Sequence, residues 1–354
     1  MRAATALAPN WRNEYLLELD SLVIPKKGNG LSYASMFCGG GGLDLGFATA
    51  GFKPLFSSDV VPTFCQTIHK NLKGHLVEAH DITTLSGKSV LERVGSPVDV
   101  VIGGPPCQSF SILGTRKSTE DPRGKLVYEY ARFIREINPK AFLFENVPGI
   151  LTVNKGKDWA ELLAFFKSET NYHIKWTKLN SVWFGAPQYR QRVVAVGFKD
   201  EHAFSRFEWP SQLYSETLNQ PKPGMQIPRE ARLAFEDVEG LSNHILREHC
   251  ERVVTRYSQV LPGDRDKKDH TDRVHAERPS GTVLVGSGAG GGRPFIHPHE
   301  HRHITVREAA RLQTFPDWWT FEGGSTASYR QVGNAVPPLM AKAIAHQIAK
   351  ALKS

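Results

Sequence analysis

The sequence predicts an α/β fold: a Rossmann-like, doubly wound sheet followed by a smaller, irregular region. Three observations predict it. Short apolar or β-branched runs alternate with amphipathic helical stretches from Ser32 to Asn146. The first of these runs enters its helix through a glycine loop, Gly39 to Gly42. The alternation then stops, and residues 200–305 are rich in Pro, His and charge, with weak periodicity.

Size and composition set the bounds. A chain of 354 residues has room for a sizeable core and more than one domain. With 40% hydrophobic and 23% charged residues it has the balance of a globular protein. No apolar run reaches the roughly 18 residues of a membrane span, and the first twenty residues lack an apolar core of secretory length. The four cysteines, Cys38, Cys65, Cys107 and Cys250, form no CxxC pair, so neither a zinc ribbon nor a disulfide framework is indicated, and a reducing cytosol is the expected setting. The net charge of +8 permits nucleic-acid binding. It is unevenly placed: residues 199–306 hold 15 basic against 16 acidic side chains and nine of the 14 histidines.

In chain order, residues 1–30 predict a short helix with Asn10 as candidate cap, then a Pro/Lys/Gly linker. Ser32–Phe52 reads as strand, glycine loop and helix, a place where backbone approaches a nucleotide-like ligand. No GK[ST] follows, which argues against a P-loop. PLFSSD is a strand ending in Asp59, placed to meet ribose hydroxyls or to cap the helix after it. A third strand ends at His80-Asp81-Ile82, where Asp81 faces an adenine amine or caps a helix.

Val100, Val101 and Ile102 form a buried strand. Gly103 and Gly104 end it, Pro105-Pro106 stiffen the turn, and Cys107 follows as a candidate nucleophile. A polar loop, Ser109 to Arg123, leads to an amphipathic helix with Leu126, Tyr130, Phe133, Ile134 and Ile137 on one face. KAFLFENV is a fifth strand ending on Glu145, where open α/β sheets place their sites. After one more helix, a hairpin turns at Gly185-Ala186-Pro187, with Gln188, Arg190 and Arg192 at spacing two on one face.

In the irregular region, Gly286–Gly292 reads as an adaptable loop, and His297, His299, His301 and His303 as a polar surface strand rather than a metal site. TVREAARLQTFPD is a short helix closing that region, with Leu312 and Phe315 inward. RQVGNAVPP is a loop before a long helix whose apolar face (Val336, Met340, Ile344, Ile348) packs back on the main sheet.

FCGGGG (Phe37–Gly42), GGPPCQSFS (Gly103–Ser111), ENV (Glu145–Val147), QYRQR (Gln188–Arg192), REAARLQTFP (Arg307–Pro316) and QVGNAVPP (Gln331–Pro338) occur in that order. With these stretches the chain resembles the C5-cytosine-specific DNA methyltransferases of bacterial restriction–modification type, from about Ser32 to Leu352. Two positions depart from that pattern: Ser35 stands where many members have an acid, and Asp59 where a glutamate is usual. The tRNA-directed relatives usually carry PPCQPF and a CFT triplet; here Ser109 replaces the proline and no CFT occurs.

The resemblance implies an S-adenosylmethionine-dependent methyltransferase sheet with a target-recognition domain. The expected division is an extension (1–30), a catalytic and cofactor domain (31–199), a target-recognition domain (200–325) and a returning segment (326–354). It assigns catalysis to Cys107, Glu145, Arg190 and Arg192. Cofactor contacts fall on Phe37, Gly39, Gly41, Gly42, Asp59, Asp81, Ile82, Pro106, Asn334 and Val336. The implied reaction adds the Cys107 thiolate to C6 of a flipped-out cytosine, protonates N3 from Glu145, orients the base through Arg192 and methylates C5, without a metal. The implied partners are double-stranded DNA, gripped at its phosphates by Arg116, Lys117 and Arg123 and read by Gly286–Arg293, and a cognate endonuclease. A monomer in the bacterial cytoplasm, associated with the nucleoid, completes the expectation.

Overall fold

The computed structural model describes residues 13–106, 125–219, 221–284 and 295–353. Helix α1 (Glu14–Asp20) comes first, capped by Asn13, whose side chain accepts from the Leu16 N–H. The cap is thus Asn13 rather than the expected Asn10, which lies outside the described residues.

Seven strands follow: β1 (Ser32–Met36), β2 (Lys53–Asp59), β3 (Leu76–Ala79), β4 (Val100–Gly103), β5 (Ala141–Asn146), β6 (His173–Asn180) and β7 (Gln191–Phe198). They form one sheet in the order β3-β2-β1-β4-β5-β7-β6. Pairing is parallel from β3 to β5; β7 runs antiparallel to both neighbours. The order reverses between β1 and β4, and a crevice opens there beyond the strand ends. The third strand is shorter than expected: it ends at Ala79, leaving His80 and Asp81 on the connection that follows.

Successive strand residues face opposite sides, and both sides are covered. Tyr33, Val100, Ile102, Leu143, Val194 and Val196 join one apolar core with α2 (Gly42–Thr49) and α3 (Pro62–Asn71). Ala34, Val101, Phe142, Phe144, Val193 and Ala195 join the other with α4 (Gly87–Val94), α5 (Lys125–Ile137) and α6 (Lys157–Thr170). The helix expected after Asp81 is α4: Val90 is buried, and Leu91 and Val94 pack against the same core.

Among the described residues the irregular region holds the short α-helices α7 (Glu201–Arg206) and α8 (Glu251–Ser258). Helix α9 (Val306–Leu312) starts with a capping box between Thr305 and Glu308. Its apolar residues and Phe315 and Trp319 share the core of α2, so the segment expected to close the smaller region also walls the glycine loop: Trp319 Nε1 donates to the Gly40 carbonyl at 3.1 Å. The stretch before the last helix is not a loop. RQVGN is the end of α10 (Ser325–Asn334), and α11 (Pro338–Lys353) follows. Val336, Met340, Ile344 and Ile348 are buried as expected, in the core that contains α2.

Helix α2 meets the α10–α11 junction at van der Waals limits. A Cβ on Gly42 would lie 2.0 Å from the Val336 carbonyl oxygen, and one on Gly46 would lie 2.3 Å from Ala341 Cβ. Gly42→Ala is therefore expected to lower stability by about 1–3 kcal/mol or more through overpacking, measured by urea unfolding. Wild-type stability in that variant would show that the junction yields freely.

The histidine run forms no strand. Ile296 bridges His303 across a tight turn, held by Arg273, which donates to the carbonyls of His297 (2.7 Å) and Glu300 (2.9 Å). His297 is buried. Among the described residues no group of three or more His, Cys, Asp or Glu side chains is placed to hold a metal ion, and no helix is long and apolar enough to cross a membrane.

Candidate active site

Strands β4 and β5 are parallel neighbours, so their carboxyl ends bring Gly104-Pro105-Pro106 beside Glu145-Asn146. The two tips are tied together: Asn146 Nδ2 donates to the Pro105 carbonyl at 3.0 Å. Gly104 is required here, because a Cβ would lie 2.6 Å from Glu145 Oε2. The turn that leads to Cys107 is thus fixed against the Glu145 carboxyl. Cys107 itself, the Ser109–Arg123 loop with Arg116 and Lys117, and the Gly286–Arg293 stretch lie outside the described residues.

Glu145 is 9% exposed and Arg192 7%. Arg192 Nε is paired with Glu145 Oε1 at 2.7 Å, and its Nη1 donates to the Gln191 carbonyl at 2.8 Å. Its Nη2 makes no hydrogen bond among the described residues, and both side chains line the crevice. Burial pushes the Glu145 carboxyl above its ordinary range, against the pull of the Arg192 and Arg190 charges. A carboxyl inclined to keep its proton and a guanidinium with a spare donor therefore face one cavity.

Arg190, expected beside Arg192 in the site, is positioned otherwise. It is fully buried, and it donates to the carbonyls of Val283 (3.1 Å) and Gly333 (2.6 Å). It clamps the smaller region and α10 to the hairpin and is not among the residues lining the crevice; only its charge reaches Glu145. Gln188 has a similar role: Nε2 donates to the Leu312 carbonyl at 3.1 Å, and Oε1 accepts from the Val283 N–H at 2.8 Å. The face shared by Gln188, Arg190 and Arg192 is thus an internal seam, not a solvated strand.

The crevice has a volume of about 640 Å³, within the roughly 300–1,000 Å³ of small-molecule sites. It runs from the glycine loop across the ends of β2 and β3 to Glu145. Phe37, Gly39, Gly42, Asp59, Asp81, Ile82, Pro106, Asn334 and Val336 all line it. Phe37 takes φ 55°, a left-handed conformation that turns the chain into the loop. Asp59 Oδ2 accepts from the Gly39 N–H at 3.0 Å and Oδ1 from the Val61 N–H at 3.0 Å. Its carboxylate therefore both shapes the loop and faces the crevice, while burial raises its pKa against those two N–H groups.

Gly41 differs from the other expected contacts. Its φ is 81°, and a Cβ would strike Trp319 at 2.5 Å and Ile68 at 2.6 Å, so it serves packing behind the loop and does not line the crevice. Ser35 donates to the buried Asp44 carboxylate at 2.9 Å, as Ser57 does at 2.8 Å; burial pushes Asp44 up to about 6. The site also holds residues the sequence did not single out. Val60 and Phe64 supply apolar wall, and Arg330 sits one helical turn before Asn334 on α10. The i, i+4 spacing of Arg330 and Asn334 was visible only once α10 was known to be helical.

A doubly wound sheet with an acid-lined crevice at its switch point, beside a buried Glu–Arg pair, defines a nucleoside-cofactor-dependent α/β enzyme. The sequence profile of the C-5 cytosine-specific DNA methylase family matches residues 31–350. The chain is 37% identical over 336 residues to the Type II methyltransferase M1.HphI of Haemophilus parahaemolyticus, covering 90% of this chain and 87% of that protein. It is 33% identical to M.NgoFVII of Neisseria gonorrhoeae, covering 86% and 82%. Its fold matches that of a prophage-encoded E. coli protein described as a DNA modification methyltransferase, with TM-score 0.70, 26% identity and coverage of 92% and 100%. A likeness to the S. pombe Dnmt2 methyltransferase, TM-score 0.63 at 21% identity, shows the fold alone.

The chain belongs to the C-5 cytosine-specific DNA methylase family. It is an S-adenosylmethionine-dependent DNA cytosine-5 methyltransferase of restriction–modification type.

Proposed function

We propose that this enzyme methylates one cytosine in a specific duplex sequence, with Cys107 as nucleophile, Glu145 as proton donor and Arg192 as the group that orients the base. The observation that carries this assignment is the buried Glu145–Arg192 pair at the end of β5, against the Gly104-Pro105-Pro106 turn that precedes Cys107. The thiolate of Cys107 adds to C6 of the extruded cytosine, forming a C–S bond, while Glu145 gives its proton to N3 so that the ring does not hold the negative charge. Arg192 already neutralises Oε1 of Glu145 and directs its free Nη2 toward the O2 side of the ring. C5, made enamine-like, takes the methyl group, which S-adenosylmethionine supplies when bound. Loss of the C5 proton to a base then expels Cys107 as its thiolate, and return of the N3 proton to Glu145 restores the aromatic ring and the starting enzyme.

The crevice suits the cofactor by the chemistry of its lining. Asp59 offers a carboxylate to ribose hydroxyls, Asp81 an acceptor to an adenine amine, and Phe37, Val60 and Ile82 apolar wall for the base. Asn334 and Val336 close the side formed by the α10–α11 junction. Asp59→Asn is expected to weaken S-adenosylhomocysteine binding roughly ten- to hundredfold, the loss of a charged acceptor. Titration calorimetry reads this directly, and unchanged affinity would remove Asp59 from the ribose.

The positive charge excess outside residues 199–306 favours phosphate grip by the main domain and base reading by the smaller region. Extrusion of the cytosine requires unstacking, at about a few kcal/mol. The protein acts as a monomer on nucleoid DNA in the bacterial cytoplasm, alongside an endonuclease of the same specificity. Methylation of a random duplex library followed by bisulfite sequencing tests the reading; a single enriched sequence context is expected, and methylation without context would overturn it.

A further inference from the structure

Helix α1 lies before the stretch that matches the family profile, which begins at residue 31. It is nevertheless built into the body of the protein. Tyr15, Leu16, Leu19 and Leu22 are at most 1% exposed. Asn13 Nδ2 donates to the Leu233 carbonyl at 3.1 Å and to Glu236 at 2.8 Å, and the Tyr15 hydroxyl donates to the Arg311 carbonyl. A segment that only preceded the enzyme would not bury these four apolar side chains in its core.

The helix converges on one side chain of the smaller region, Arg229. Its guanidinium is ion-paired with Glu18 of α1. It lies between two rings, 5.1 Å from the centre of Tyr15 and 4.9 Å from that of Tyr214. From this slot Nη1 donates to the Gly185 carbonyl at 3.2 Å. Gly185 is the left-handed corner (φ 84°) of the hairpin, and a Cβ there would already press on Arg229 and Tyr214 at 3.0 Å each. From that corner the chain runs through Gln188 and Arg190 to Arg192, the partner of Glu145.

We infer that α1 is a brace for the catalytic hairpin and that Arg229 is its positioning residue: Glu18 and Tyr15 hold the guanidinium, the guanidinium holds Gly185, and the corner sets where Arg192 meets Glu145. The inference rests on the roles given above to Glu145 and Arg192. The two rings restrict the planar guanidinium, so its donor to Gly185 is preorganised rather than recruited from a free side chain. A displacement of about 1 Å at a group that orients substrate slows reaction by up to roughly 100-fold, so a small shift of the corner has a large kinetic readout.

The test uses the full chain with Arg229→Met, which keeps the stem between the tyrosines but loses the fork, and Glu18→Gln, a milder change outside the family match. Single-turnover methyl transfer at saturating duplex DNA, cofactor affinity by calorimetry, and thermal unfolding are measured on each and on the double variant. Arg229→Met is expected to slow transfer about tenfold while cofactor affinity changes by less than about twofold. Glu18→Gln shows a smaller loss of the same kind, the double variant is no slower than Arg229→Met, and Arg229→Lys recovers part of the rate. Wild-type transfer in Arg229→Met, additive losses in the double variant, or cofactor affinity falling in step with the rate would each overturn the brace. If Arg229→Met does not fold, a wild-type transfer rate in Glu18→Gln overturns it alone. The underlying assignment fails separately, through wild-type transfer by Glu145→Gln.

Discussion

Cys107→Ser abolishes methyl transfer, by on the order of 10⁴-fold or more, while duplex DNA binding persists. A serine hydroxyl has no accessible anion near neutral pH, whereas a thiol with an ordinary pKa of about 8.5 supplies a thiolate fraction, and more where the site favours it. The substitution removes one sulfur and leaves the Gly104-Pro105-Pro106 turn with its tie to Asn146, so loss of rate reports chemistry rather than folding. Tritiated methyl transfer to duplex DNA gives the rate, and a mobility shift at fixed salt gives the binding. Turnover within tenfold of wild type would remove Cys107 as nucleophile.

Glu145→Gln slows transfer by about 10²–10⁴-fold with cofactor affinity unchanged within about twofold. Glutamine fits the space against Gly104 and can still accept from Arg192, but it has no acidic proton for N3. The wild-type pH profile carries the sign. Burial raises the Glu145 pKa, so the donor keeps its proton closer to neutral pH than an exposed glutamate does. The rate therefore falls as pH rises through that raised value, opposed at lower pH by the need for the Cys107 thiolate. In Glu145→Gln the alkaline fall is expected to vanish from single-turnover rates. A profile with the same alkaline limb in the variant would assign that titration to another group.

Much of this architecture is local and so was legible residue by residue. Continuous apolar runs, as in Val100–Ile102 and Ala141–Phe144, are the mark of strands covered on both faces. Glycine at 39–42, acids at the ends of β2 and β5 and just beyond β3, and the prolines before Cys107 each carry their chemistry in the residue itself. The resemblance to a known family then suggested roles that spacing leaves open, such as the proton donation proposed for Glu145.

Tertiary contacts reassigned the polar side chains. Arg190 and Arg192 are of one type and two positions apart, yet one binds carbonyls 93 and 143 residues away and the other pairs with Glu145. Gly41 and Gly42 stand side by side, but only Gly42 lines the crevice, because Trp319 arrives from the far end of the chain to cover Gly41. The docking of α1 on Arg229 and the helical form of RQVGN belong to the same category. The physical reason is common to all of them. Backbone periodicity is set by near neighbours and leaves a mark in composition, whereas a hydrogen bond to a distant carbonyl depends on which surfaces meet, and neither partner carries a local trace of the other.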